Sequence, residues 1–127
     1  MSETALKAKV LKAIKKEYPT AWVYKASDKF TAGILDLIIC LEGRFVSIEL
    51  KYGDNVPTPL QKNTVKKVRL ARGKADVCWS KKEVMDLLYL WHKEFCSQDK
   101  IIKAYVNSNR TIQIENINLR EMTSINE

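Results

Sequence analysis

The sequence predicts a single α/β domain, and three observations support this fold class. Its 127 residues are the length of one ordinary domain. Hydrophobic residues make up 46% of the chain, which is enough to form a core. Segments with helical periodicity alternate with short β-rich segments, as in a mixed sheet flanked by helices. We expect the core over residues 1–96 and an extension of the same domain over residues 97–127.

Three helices are predicted from the spacing of apolar residues and from end signals. The first spans residues 4–17 and ends ahead of a proline. The second spans residues 59–72, and Gly73 in the C′ position is expected to end it. The third opens at Ser80 with Glu83 three residues later, which is a capping-box pattern. The apolar stripe of this third helix is typical of a core face.

Two hairpins are predicted among the β-rich segments. Residues 35–41 and 44–51 are separated by Glu42-Gly43, the spacing of a two-residue hairpin loop. Residues 101–106 and 111–116 alternate polar and apolar side chains around a polar tripeptide, which predicts a C-terminal β-hairpin. Single strands are also expected at 21–25 and 75–79.

The chain is basic, and the surplus of positive charge is unevenly distributed. The formal net charge is +7. Residues 1–80 carry 15 basic and 8 acidic side chains, whereas residues 81–127 carry 7 of each. A cluster on and after the second helix has no acidic residue within it, and consists of Lys62, Lys66, Lys67, Arg69, Arg72 and Lys74. These side chains are candidates for contacts with a polyanion such as the backbone of a nucleic acid, the alternative being a solvated helix face.

Cysteine usage and hydropathy exclude several classes of protein. Three cysteines without CxxC spacing argue against a disulfide framework and against a structural zinc site. No apolar run approaches the roughly 20 residues of a membrane span. We therefore expect a soluble cytoplasmic protein with reduced cysteines and no membrane partner.

The first hairpin brings candidate catalytic residues together. Centring the turn on Glu42-Gly43 places Asp36 opposite Glu49, with Lys51 on the same face as Glu49. Opposed carboxylates repel each other, and a divalent cation such as Mg²⁺ relieves that repulsion. Two carboxylates, a metal ion and a lysine suit phosphodiester cleavage. A solvated sheet face is the alternative, and a one-residue register slip would separate the two carboxylates.

These motifs resemble the PD-(D/E)xK nuclease superfamily, and most closely its small stand-alone VRR-Nuc members, which are Holliday-junction-resolvase-like. The resemblance covers roughly residues 2–92 and rests on GILDLIIC, SIELK and PLQ. The matching residues occur in the family's order and are Glu3, Gly33, Asp36, Leu37, Glu49, Lys51 and Gln61. Leu35 stands where the family usually has proline. The resemblance implies a restriction-endonuclease-like αβββαβ core.

The resemblance also implies roles for the matched side chains. Asp36 and Glu49 would bind Mg²⁺ or Mn²⁺, and Lys51 would act on the attacking water or on the transition state. Gln61 and Glu3 would complete the catalytic site. Without the resemblance, Glu3 reads as an acid at a helix N-terminus and Gln61 as a surface residue of a basic helix.

The sequence therefore predicts a metal-dependent endonuclease of branched, flap or junction DNA. A nucleic-acid-binding module that does not cut is the alternative, and an RNase is a third. Symmetric cutting of both strands would need a homodimer. A candidate dimer contact is the apolar face of the C-terminal hairpin, formed by Ile102, Ala104, Val106, Ile112 and Ile114.

Overall fold

The computed structural model of the chain describes residues 2–27 and 32–109. Its helices and strands follow one another in the order α1 (Glu3–Glu17), β1 (Trp22–Lys25), β2 (Leu37–Leu41), β3 (Arg44–Leu50), α2 (Pro59–Leu70), β4 (Lys74–Cys78) and α3 (Lys81–Asn109). The predicted α/β core is confirmed, with its helices and strands in the expected order.

The four strands form one mixed sheet in the order β1-β2-β3-β4. The first two pairings are antiparallel, and β3 pairs parallel with β4 across the α2 crossover. Leu37 pairs with Ile48 and Leu41 with Arg44, which is the predicted hairpin register. Glu42 and Gly43 both have positive φ, 50° and 76°, as a type I′ turn requires. The turn chemistry thus sets the register that positions every residue of the hairpin.

Helices cover both faces of the sheet within the first part of the chain. On one face, Leu37 and Ile48 of the sheet are in a buried cluster with side chains of α1 and α3. The members contributed by those two helices are Leu6, Val10, Ile14, Val84, Leu88 and Phe95. On the other face, Leu35 and Ala75 pack against Val65 of α2. The alternation of side chains along β3 therefore sends Val46, Ile48 and Leu50 to α1 and α3, and Ser47 and Glu49 to the opposite face.

The chain divides into two compact units, residues 1–95 and residues 96–127. The sheet, α1, α2 and the first half of α3 are in the first unit. Among the described residues, no helix combines the length and the apolar character that crossing a membrane requires. The cysteines are free thiols, and burial raises the pKa of the Cys78 thiol to about 12.

Two sequence predictions are corrected. The first strand of the predicted C-terminal hairpin, residues 101–106, lies inside α3, which runs to Asn109. Residues 81–109 contain neither glycine nor proline, so nothing in them stops a helix that has already been capped and nucleated. Ile102, Ala104 and Val106 are thus helical residues. The second strand, with Ile112 and Ile114, lies outside the described residues.

The second correction concerns the end of α2. The helix ends at Leu70, and Arg72 rather than Gly73 adopts the left-handed conformation, with φ 72°. Gly73 is needed for a close approach instead. A Cβ at Gly73 would lie 2.8 Å from the Val68 side chain and 3.3 Å from the Phe45 ring.

Gly33 has both properties at once. Its φ is 81°, and a Cβ there would lie 2.7 Å from the Leu60 carbonyl oxygen and 2.9 Å from the Thr64 hydroxyl. The segment that leads into β2 can therefore lie against the first turn of α2 only if residue 33 has no side chain.

We expect Gly33→Ala to destabilise the fold more than Gly53→Ala. Gly53 also has positive φ, 62°, but has open space around it. Its replacement should lower the free energy of unfolding by about 1 kcal/mol through backbone strain alone. Overpacking against α2 should add about 1–3 kcal/mol at Gly33. Urea unfolding of the two variants measures the difference, and equal losses would contradict the close approach.

Candidate active site

The candidate site lies at the end of the β2–β3 ladder, opposite the hairpin turn. The strand pairing ends at Leu37 and Ile48. Beyond it, the Asp36 backbone N–H donates to Glu49 Oε1 at 3.0 Å, and the Leu50 backbone N–H donates to Asp36 Oδ2 at 2.8 Å. Each carboxylate thus accepts a hydrogen bond from the backbone of the other strand or its extension. This exchange continues the hairpin and holds both side chains in place.

Glu49 is the most enclosed member of the cluster, with 3% of its surface exposed. Lys51 lies two residues further along, so it extends from the same face, and its Nζ is 3.2 Å from Glu49 Oε2. Burial, followed by the negative charge of Asp36, raises the pKa of Glu49. The hydrogen bond and charge of Lys51 and the backbone amide of Asp36 oppose this rise. Glu49 is therefore a buried carboxylate that needs positive charge nearby.

Gln61 is oriented by the cap of α2. Thr58 is the N-cap residue, and its hydroxyl accepts from the Gln61 backbone N–H at 3.1 Å. The Gln61 side-chain Oε1 accepts from the Thr58 backbone N–H at 2.9 Å, which completes a capping box. The amide nitrogen of Gln61 is thereby directed to Glu49 Oε2, to which it donates at 2.9 Å. A local helix-capping motif thus sets the orientation of a residue in the site.

Lys7 joins α1 to the site. Its Nζ is 2.9 Å from Asp36 Oδ1 and 3.7 Å from Glu3 Oε1, one helical turn earlier. Partial burial lowers the pKa of Lys7, but the hydrogen bond and charge of Asp36, with the charges of Glu3 and Glu49, outweigh it and raise the pKa. Lys7 is therefore a charged ammonium group held against Asp36, and Glu3 approaches the cluster through Lys7.

A cavity of about 340 Å³ opens onto these groups. Its lining includes the side chains of Lys7, Lys25, Ser27, Asp36, Glu49 and Gln61. Both carboxylates therefore line a space that a ligand can enter. Lys7 of α1 and Lys25 of β1 also line it.

The donor set fits a hydrated divalent cation better than a closed metal cage. In residues 2–27 and 32–109, no three His, Cys, Asp or Glu side chains are grouped so that they could hold a metal ion. Mg²⁺ is commonly bound through one or two carboxylates and keeps water molecules as its other ligands. The Asp36 and Glu49 carboxylates, which already carry mutual repulsion, match that requirement.

The basic residues on and after α2 have different environments. Lys62, Lys66, Lys67 and Arg72 are exposed. Arg69 donates to the Ala75 carbonyl at 2.9 Å and lies 3.5 Å from Asp76. Lys74 forms an ion pair with Glu94 at 2.9 Å. Arg69 and Lys74 thus stabilise the packing around β4, which leaves the exposed four better placed for an external ligand.

Comparison with solved structures found a chain of similar fold. It is a VRR_NUC domain, matched with a TM-score of 0.53 and 26% sequence identity over 65% of this chain and 92% of that one. The chain is similar to a VRR_NUC domain. The resemblance stated from the sequence motifs is therefore confirmed, and so is the restriction-endonuclease-like core. No protein-family model and no curated protein sequence matches the chain.

Within this VRR_NUC-like fold, four of the five candidate catalytic residues lie together. Asp36, Glu49, Lys51 and Gln61 are joined by direct contacts, whereas Glu3 contacts Lys7. Leu35, which replaces the usual proline, is fully buried against α2. The replacement thus contributes to packing.

Sequence reasoning missed Lys7 and Thr58. Thr58 and Gln61 form a capping-box signature that the sequence contains but that was not used. The signal for Lys7 was weaker. It lies one helical turn after Glu3 and next to the apolar residue Leu6, which places it near the buried face of the helix. Its ion pair with Asp36 depends on how α1 packs on the sheet, which the helix sequence does not specify.

We expect Lys7→Met to destabilise the protein by about 1–3 kcal/mol, because Asp36 then loses a charge-assisted hydrogen bond beside a buried Glu49. Lys15→Met is the matched control, since Lys15 is exposed on the same helix. Its effect should stay within about 0.5 kcal/mol. Urea unfolding without divalent ions compares the two. Equal effects would show that the Lys7–Asp36 contact contributes nothing.

Proposed function

We propose that the protein is a metal-dependent nuclease that hydrolyses DNA phosphodiester bonds. The observation that carries this proposal is the convergence of Asp36, Glu49, Lys51 and Gln61 on one another, beside a cavity lined by Asp36, Glu49 and Gln61. The similarity to a VRR_NUC domain supports the same reaction class. The side-chain contacts and the structural similarity are separate observations, because the contacts follow from this chain's own hairpin register and helix cap.

In this proposal, Asp36 and Glu49 would hold a Mg²⁺ or Mn²⁺ ion, which when bound would neutralise charge at the phosphate and lower the pKa of a bound water. Lys51, held by Glu49 and 14% exposed, is placed to donate to the attacking water or to a phosphate oxygen. Gln61 fixes the Glu49 carboxylate through its amide N–H, so its role is positioning. Glu3 acts through Lys7, which it holds within reach of Asp36.

The proposed substrate is DNA bound through its backbone. Lys62, Lys66 and Lys67 lie on exposed parts of α2, the helix that also carries Gln61. Contacts of lysine with phosphate position a nucleic acid without reading its sequence. We therefore propose selection by shape, as for branched, flap or junction DNA. Resolution of a symmetric junction would require a homodimer, and light scattering of the DNA complex decides whether two copies assemble.

We expect Asp36→Ala and Lys51→Ala each to lower the cleavage rate by at least about a hundredfold, because each removes a group that stabilises transition-state charge. The assay incubates purified protein with duplex, flap and four-way-junction DNA, and with RNA, in Mg²⁺ or Mn²⁺. Asp54→Ala is the matched control, because Asp54 is an exposed carboxylate of the loop after β3.

The assay also separates the proposal from its alternatives. Cleavage should require the divalent ion and disappear in EDTA, while Asp54→Ala should retain full activity. Undiminished cleavage by Asp36→Ala would contradict the site. Salt-sensitive DNA binding with no cleavage in either metal would favour a binding module that does not cut, and cleavage of RNA alone would make the protein an RNase.

Divalent ions should also stabilise the folded protein. A ligand at a hundred times its Kd that binds only the native state adds about 2.7 kcal/mol. We therefore expect Mg²⁺ or Mn²⁺ to raise the midpoint of thermal unfolding by several degrees in the wild type and in Lys51→Ala, but not in Asp36→Ala. Equal stabilisation of all three proteins would place the ion elsewhere. This readout does not need activity.

A further inference from the structure

A second basic surface lies away from the candidate active site. A groove of about 530 Å³ is formed by residues of α1, of the turn after it, and of the start of α3, all within the first unit. The charged side chains that line it are Lys9, Lys12, Lys16, Glu17 and Lys81. The lining thus carries four lysines and one glutamate, and we refer to it as the basic groove.

The regular spacing of α1 produces this concentration of charge. Lys9, Lys12 and Lys16 follow at intervals of three and four residues, so they lie along one side of the helix. All three are exposed, as is Lys81. Within the described residues, none of the four forms an ion pair.

Other lysines of the same unit differ from the groove lysines because they form ion pairs within the protein. Lys82, the neighbour of Lys81, pairs with Asp86 at 2.7 Å, and Lys74 pairs with Glu94. Like charges one helical turn apart destabilise a helix slightly when nothing neutralises them. The basic groove therefore retains its unfavourable charge, which a polyanion would offset.

The position of the groove relative to the site suggests the kind of polyanion. Lys7, which contacts Asp36, belongs to α1, as do the groove residues Lys9, Lys12 and Lys16, whereas Lys81 begins α3. With a rise of about 1.5 Å and a turn of about 100° per residue, Lys9 and Lys16 lie about 3 and 14 Å beyond Lys7 along the axis and on the opposite side of α1. A nucleic-acid backbone that joins the site to the groove therefore crosses over α1, and at about 3.4 Å per nucleotide it needs more than about four nucleotides to reach Lys16.

We propose that the basic groove binds the phosphodiester backbone of the substrate on one side of the cut. This inference rests on the proposed nuclease function and adds to it a requirement for flanking nucleic acid that crosses α1. The contacts are with phosphates, so they contribute affinity and orientation without reading the base sequence. The contact surface is distinct from the exposed lysines of α2.

The test compares two double variants with the same change in net charge. Lys12→Gln/Lys16→Gln alters the groove, whereas Lys15→Gln/Lys93→Gln removes two exposed lysines of α1 and α3 that do not line it. Binding of fluorescent duplex DNA is measured by anisotropy in EDTA, over a range of salt concentrations. Metal-free conditions separate binding from cleavage.

We expect the groove variant to bind less tightly and with a shallower salt dependence. Loss of two phosphate contacts should reduce the slope of log K against log salt by about 2. The control variant should keep a slope close to that of the wild type. The difference between the two variants should disappear on a duplex too short to reach beyond Lys7.

Equal slopes for both variants would overturn the proposal, as would a groove variant that loses affinity for phosphatidylserine vesicles and not for DNA. Failure of the nuclease function is distinguishable from failure of the groove. If the wild type cuts no DNA but Lys12→Gln/Lys16→Gln shows the reduced slope, the groove proposal stands and the nuclease proposal fails. If the wild type shows metal-dependent cleavage and the slopes of the variants are unchanged, the nuclease proposal stands and the groove proposal fails.

Discussion

The candidate site depends on how the β2–β3 hairpin ends. Where the backbone ladder stops, the side chains of Asp36 and Glu49 each accept a hydrogen bond from the facing segment's backbone. Those bonds hold two carboxylates close together in a nearly buried position, which is costly unless positive charge is supplied. The hairpin therefore creates a site whose two carboxylates need positive charge beside them. A one-residue shift of the register would abolish both the bonds and the requirement.

The surrounding elements meet that requirement in separate ways. Lys51 directly follows β3, Lys7 belongs to α1, and α2 contributes the amide of Gln61, which the Thr58 cap orients. The approach of α2 depends in turn on the absence of a side chain at residue 33. A helix cap and a glycine, which are ordinary features of folding, thus determine the geometry of the groups that face the cavity. The two ammonium groups offset the two carboxylates, and a divalent ion would add charge suited to a phosphodiester and its nucleophile.

Local chemistry explains which features were predictable from the sequence. Glu42 and Gly43 separate two β-rich segments by the two residues of a tight hairpin, so the register and the Asp36–Glu49–Lys51 grouping could be predicted from the sequence. The end of α2 could not, because Gly73 is needed for contact with Val68 and Phe45, a tertiary constraint. The predicted strand at 101–106 failed because short alternation of apolar residues is compatible with either structure, and helix propagation from Ser80 prevailed. Lys7 was missed because its partner lies across a helix–sheet contact.

We propose that Asp36 and Glu49 together form a site for a divalent ion at the end of the hairpin. Nuclear magnetic resonance with substoichiometric Mn²⁺ tests it directly, because the paramagnetic ion broadens the resonances of nearby amides. The account predicts that the backbone N–H signals of Asp36 and Leu50, which hydrogen-bond to the two carboxylates, broaden first and recover when EDTA is added. Broadening that begins at another acidic cluster, such as Glu83 and Asp86 at the start of α3, with these two signals unaffected, would contradict it.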